Sequence, residues 1–195
     1  MNLYQKLSFV LGLFLYLPLA YQILTPNLKH KVEQNITSFV LWFLLDVVGA
    51  WTMYQEHGNY QLSLAYAIGC AGIIFCLLKK HSEFKFSKYE KLTSVVVLIT
   101  IAVWIINGPR YAIVCASFGI LVASIPQIED TMKMPEHMPF GISACYIFVN
   151  LLSVIGGESW KIEERLIPIA NMGISIIFTT LSARKFFLKQ NPVTQ

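Results

Sequence analysis

Seven apolar runs, at positions 7–24, 36–53, 62–78, 92–106, 111–128, 140–155 and 166–181, divide this chain and leave only short polar connections between them. Each comes close to the ~17 to 25 residues that a helix needs to cross a hydrocarbon core. The fourth is the shortest, and it lengthens if it begins at Tyr89. Lipid offers the backbone no hydrogen-bond partner, so runs of this length must satisfy themselves as helices; barrel-type alternation is absent. With 55% apolar and 13% charged residues over 195 positions, the chain is too charge-poor for an ordinary soluble domain. The expected fold is an all-α membrane protein with seven transmembrane helices, and any chemistry must sit among those helices or on small loops.

The charged residues then set an orientation. The first, third and fifth connections and the C-terminal tail carry Lys29, Lys31, Lys79, Lys80, Lys85, Lys88, Lys91, Lys133, Arg184, Lys185 and Lys189, against Lys6, Arg110, Lys161 and Arg165 on the other side. The positive-inside bias places the C-terminus in the cytosol and the N-terminus outside or in a lumen, which an odd number of spans requires. Under this topology the sequon Asn35-Ile36-Thr37 is cytosolic and carries no glycan. Because the basic residues are dispersed between apolar runs, they form no nucleic-acid surface. The cluster from Lys79 to Lys91 fixes orientation and can touch anionic lipid. Cys70, Cys76, Cys115 and Cys145 all fall inside apolar runs with no C-x-x-C pair, so they read as small packing residues without a metal or disulfide framework. The first run passes Pro18 and continues to Leu24 without a small-x-small cleavage site, so it reads as a retained helix.

Comparing the chain with itself exposes a duplication. The segment from Phe39 aligns with the segment from Ser143 at a constant offset of 104 residues, without a gap across two helices and their connection. Trp42 falls on Tyr146, Asp46 on Asn150, and the stretch 62–69 on 166–173. Upstream, Pro18 pairs with Pro126 at an offset of 108, the difference being absorbed by a longer first loop. The expected order is three helices, one extra helix, and three more. A spacing of four helices leaves both repeats in the same membrane orientation, so they form two parallel three-helix bundles joined by a linker helix. The corresponding divisions are 1–78 for the first repeat, 79–110 for the basic loop and linker helix, 111–186 for the second repeat and 187–195 for a cytosolic tail.

Ile125-Pro126-Gln127-Ile128 closing the fifth run, Pro18 at the matching place in the first, and the 3+1+3 order resemble the PQ-loop superfamily, which includes SWEET-type sugar transporters and lysosomal cystine and cationic amino acid exporters. The segment Phe39-Val-Leu-Trp-Phe-Leu-Leu-Asp46 is similar to that superfamily's second helix, and Asn150 and Asn171 fall where its members often carry polar residues. The resemblance covers nearly the whole chain. It implies alternating access around a midplane site, with Pro18 and Pro126 as hinges beside Gln127. Two departures stand out: the first repeat reads Pro18-Leu19 in place of Pro-Gln, and Ala67 stands where the second repeat has Asn171.

Among the residues themselves, Asp46 is the only acid well inside an apolar run, and no basic residue lies at comparable depth. An ionised carboxylate at a helix centre is penalised by ~2.5 to 3.5 kcal/mol on insertion scales, so it should face the bundle interior or water. It is the candidate site for a proton or for a substrate amine; the structural alternative is a helix-gluing hydrogen bond. Asn150 and Asn171 bring amides that donate and accept at once, as sugar hydroxyls or amino-acid headgroups require, or that simply bond helix to helix. Trp42 and Tyr146 sit one turn before Asp46 and Asn150, on the same faces, where flat rings can stack on a cargo or fill a core. Ala65, Gly69, Gly72 and Cys76 form a small-residue stripe read as close helix packing. Trp51, Trp104 and Trp160 suit interfacial or packing roles.

The expected function is a transporter of a small polar metabolite, sugar or amino acid, with proton coupling through Asp46, working in the bilayer as a monomer or homo-oligomer and without a cofactor. A non-transporting receptor or sensor on the same scaffold is the alternative. An enzyme is disfavoured, because there is no H-E-x-x-H, no paired intramembrane Asp and no intramembrane His.

Overall fold

Every apolar run of the sequence becomes helix. The computed structural model describes residues 1–25, 36–80, 84, 86–135 and 138–188, and contains eight helices among them. These are α1 (Leu3–Phe14), α2 (Leu17–Leu24), α3 (Ile36–Gln55), α4 (Gln61–Lys79), α5 (Lys88–Asn107), α6 (Pro109–Lys133), α7 (Phe140–Gly156) and α8 (Ile162–Leu188). Taking α1 and α2 together, six segments are long and apolar enough to cross a membrane, and α7, with 17 residues, is apolar but shorter. The chain is thus an all-helical protein of multi-pass membrane character. Its outer face agrees, since Leu98 is 66% exposed and Phe118 60% exposed, positions that only a lipid solvent leaves unpenalised. The sequon residue Asn35 and the basic residues Lys29, Lys31, Lys85 and Lys189 lie outside the described residues.

Local chemistry sets the helix ends. Asn2 and Gln5 form a capping box at α1, each side-chain oxygen accepting from the other's backbone N–H at 3.0 and 2.9 Å. Ser87 and Glu90 do the same at α5, which begins at Lys88, next to the Tyr89 anticipated from the sequence. At the end of α3, His57 takes a left-handed conformation with φ of 57°, and the Gly58 N–H reaches back to Met53 O at 2.8 Å. This turn presses Gly58 against the Glu163 backbone, and a Cβ at Gly58 would collide with it.

Pro18 and Pro126 behave differently. The first span breaks at Leu15 and Tyr16, with Pro18 as the second residue of α2; its missing N–H leaves the Phe14 carbonyl without the usual helical donor. In contrast α6 runs unbroken through Pro126, and α8 through Pro168.

The helices alternate in direction between two ends. At one end, called here the basic end, Ser38 donates to Glu90 at 2.9 Å, Tyr89 donates to Glu129, and the rings of Phe140 and Phe186 meet at 5.5 Å. At the opposite end, Asn2 and Gln5 both donate to Gly156 O, Asn59 donates to Ser153 O, and Trp104 donates to Gln55. Helix α4 packs on both α1 and α3, and α8 packs on both α6 and α7; α1 also meets α7, α3 meets α6, and α5 lies against α6 and α3. Two apolar clusters result. One joins α3, α5, α6 and α8 around Leu45, Met53, Ile113 and Ile167; the other joins α1, α2, α4 and α7 with the start of α3, around Ile36, Leu62, Ile73 and Val149.

The small-residue stripe of α4 is only partly a packing surface. Ala65 and Gly69 are buried against the first span, Ala65 facing Gly12 and Gly69 lying under the Tyr16 ring. Gly72 is exposed, with open space where a side chain would project, so it does not belong to the packed face.

Candidate functional site

A cavity of about 330 Å³ lies between these helices and is lined from every span. Its floor is made by side chains in the middle of the bundle: Asp46 of α3, Tyr66 of α4, Asn150 of α7 and Asn171 of α8. From there it reaches the basic end, where Gln22, Ser38, Glu90, Asp130 and Pro139 form its rim. The lining therefore stops short of the opposite end, where the Asn59–Ser153 and Asn2–Gly156 hydrogen bonds tie the α3–α4 turn and α1 to α7 at 2.7 Å each.

The helix periods explain the convergence. Trp42 and Asp46 are one turn apart on α3, as are Tyr66 and Cys70 on α4 and Tyr146 and Asn150 on α7, so each helix projects two site residues from one face. Tyr16 joins them because the break before Pro18 swings the chain at that point. Its ring sits 6.2 Å from that of Tyr66 and 6.5 Å from that of Tyr146, and the latter two lie 5.7 Å apart, giving a cup of three aromatic rings.

Two polar groups flank this cup. Asn150 is fully buried; its amide nitrogen donates to Tyr146 O at 2.8 Å and to the Tyr66 hydroxyl at 3.0 Å, and its Oδ1 has no partner among the described residues. Asp46, also buried, accepts from the Cys70 thiol at 4.0 Å, a long contact even for sulfur. Cys70 in turn meets the Tyr16 hydroxyl at 3.6 Å. The titratable groups around Asp46 are thus the phenols of Tyr16, Tyr66 and Tyr146 and the Cys70 thiol. On α6 and α8 the wall at this depth is Ile120, Asn171 and Ile174, none of which titrates, while Glu90 of α5 and Asp130 of α6 stand further out near the basic end. Among the described residues, no Lys, Arg or His lines the cavity.

All five residues singled out from the sequence as substrate-binding, Asp46, Asn150, Asn171, Trp42 and Tyr146, line this one space, together with Pro126 and Gln127. Pro18 does not line it; its effect is on the path of the first span. Trp42 is held by a bond from its indole N–H to Ala123 O at 3.3 Å, so it ties α3 to α6 as well as forming wall. Gln127 reaches the Met138 sulfur at 3.8 Å near the rim. Tyr16, Tyr66 and Cys70 were not anticipated as site residues. Within an apolar run an aromatic or small residue gives no sign of which way it points; the one available signal was that Tyr66 and Cys70 lie on the packed side of α4 with Ala65 and Gly69. Of the four cysteines read as packing residues, all free, Cys70 and Cys76 are buried in the apolar cluster of α1, α2, α4 and α7 and Cys115 is half-buried, whereas Cys145 is exposed; Cys70 in addition stands beside the site carboxylate. Comparison with protein-family models, with curated proteins and with solved structures finds no match to this chain.

Proposed function

We propose that this protein is a carrier of the PQ-loop type, which moves a small polar metabolite, in the size range of a sugar or an amino acid, across the bilayer by alternating access. The observation that carries the reading is the one-sided cavity: it reaches the basic end, is lined by the buried Asp46 and Asn150 and the half-buried Asn171, and is followed at the opposite end by polar bonds across the bundle. A binding site open on one side and tied shut on the other is what one state of such a carrier requires.

The 3+1+3 organisation belongs to the same reading. In the first trio α4 packs on both companions, in the second α8 does, and the two cross-contacts, α1 with α7 and α3 with α6, exchange under a two-fold axis that pairs α1 with α6 and α3 with α7. Helix α5 is the linker, lying against α6 and bonded to α3 through Ser38 and Gln55. Rocking of the trios opens the Asn59–Ser153 end as the basic end closes, with the break before Pro18 absorbing the bend. Asp46 serves as the proton-coupling and cargo-binding group, and the basic end is cytosolic by the charge bias.

Reconstitution into liposomes tests this. With labelled sugars, amino acids and amines offered with and without a pH gradient, we expect saturable uptake of one class, driven by the gradient in the wild type and not in Asp46→Asn. Specific binding without uptake would replace the carrier by a receptor on the same scaffold.

A further inference from the structure

The wall of the cavity is rich in acceptors and ring faces and poor in cations. Because Tyr146 O can only accept, the Asn150 nitrogen must face it, and the atom left over is the acceptor Oδ1, buried and unpartnered. Asp46 supplies a second acceptor, met among the described residues by the Cys70 thiol at 4.0 Å. The two are held against the same face of α4, Asp46 beside Cys70 and Asn150 on Tyr66, one helical turn apart. Between and around them stand the rings of Tyr16, Tyr66 and Tyr146, whose faces attract positive charge.

We infer that the cavity takes a small protonated amine lacking a carboxylate, whose ammonium N–H groups donate to Asp46 and to Asn150 Oδ1 beside the three tyrosine rings. Its movement across the bilayer rests on the carrier reading, whereas its binding does not. The competing chemistries each leave something unmet. A neutral sugar satisfies Asn150 but leaves Asp46 either ionised without a counter-charge or protonated, so that the carboxylate's charge contributes nothing to holding it. A quaternary ammonium supplies the charge but has no N–H for Asn150. A zwitterion sets its own carboxylate in a wall that offers, among the described residues, no cationic side chain. A proton on Asp46 is the alternative occupant, which the amine displaces on binding.

Ethanolamine, choline, serine and glucose separate these cases, since choline differs from ethanolamine by N-methylation and serine by an added carboxylate. Equilibrium binding to the purified full chain in detergent at neutral pH is expected to favour ethanolamine over each of the others by at least about tenfold. Asp46→Asn should weaken ethanolamine by at least about thirtyfold, while Asp46→Glu, which keeps the charge, binds more tightly than Asp46→Asn. Tyr146→Leu should weaken it roughly fivefold and Tyr146→Phe leave it close to wild type. Tighter binding of glucose, serine or choline overturns the inference, as does an Asp46→Asn protein that elutes as wild type and still binds ethanolamine normally, or the failure of all four compounds to bind. Flux of the same compounds in liposomes separates the two readings: ethanolamine bound but not moved removes the carrier and leaves the amine site, whereas glucose or serine moved without ethanolamine binding does the reverse.

Discussion

Asn150 has one amide group and three demands on it. Its nitrogen serves Tyr146 O and the Tyr66 hydroxyl, and its oxygen, without a partner among the described residues, is the atom assigned above to the ligand. A purely structural asparagine in a membrane bundle contributes about 1 kcal/mol through such bonds, so Asn150→Leu should lower stability in detergent by roughly that amount. If the free oxygen is a ligand atom, the same variant should also weaken ethanolamine binding by about tenfold, because a buried donor on the ligand then finds no acceptor. Thermal unfolding and equilibrium binding on one preparation separate the two effects. Unchanged binding alongside lowered stability would reduce Asn150 to a helix tie. Asp46 and Asn150 were legible in the sequence because a polar group inside an apolar run must have a reason to be there. The tyrosines between them were not, since a tyrosine ring is equally at home against lipid, in a core or at an interface.

At the level of the helices, the close approach of α4 to the first span depends on Gly69 and not on Gly72, two positions that look alike in sequence and differ in place. Gly69 lies under the Tyr16 ring, where any Cβ would collide with it, and Gly72 faces open space. Gly69→Val must displace the ring that completes the aromatic cup, and overpacking of this kind costs about 2 kcal/mol. Gly72→Ala adds a methyl group where nothing stands and should leave stability unchanged or raise it by up to about 1 kcal/mol, since alanine is the better helix former. Paired thermal melts in detergent check this, and equal losses at both positions would mean that the stripe packs as a unit. Spacing alone could not tell the two glycines apart, because a repeat of three and four residues marks a helix face without saying how far along it the neighbour extends. The same limit applies to the prolines. Pro18 and Pro126 pair well in the sequence alignment, yet the first interrupts its helix and the second does not.

At the scale of the whole molecule, the bundle is tied by polar bonds at the end opposite the cavity's rim, and on the carrier reading that end must open. Asn59, delivered by the left-handed turn after α3, donates to both Ser153 O at 2.7 Å and Ser153 Oγ at 3.2 Å, joining the α3–α4 turn to α7. Both residues are fully buried, so separation at this end requires these bonds to break together with those from Asn2 and Gln5 to Gly156. The sequence shows seven apolar runs but not this contact, which joins the α3–α4 turn to α7 through residues that carry no motif. Replacing Asn59 and Ser153 by cysteine, in a background in which Cys70, Cys76, Cys115 and Cys145 are serine or alanine, puts two thiols where the hydrogen-bonded side chains now meet. Oxidation should then hold this end closed. Because the cavity reaches the basic end, the oxidised protein should still bind ethanolamine with an affinity close to that of its reduced form, yet transport none of it in liposomes, and reduction should restore flux. Flux that survives verified cross-linking would mean that this end does not open during transport, and the passage would have to be sought elsewhere in the bundle.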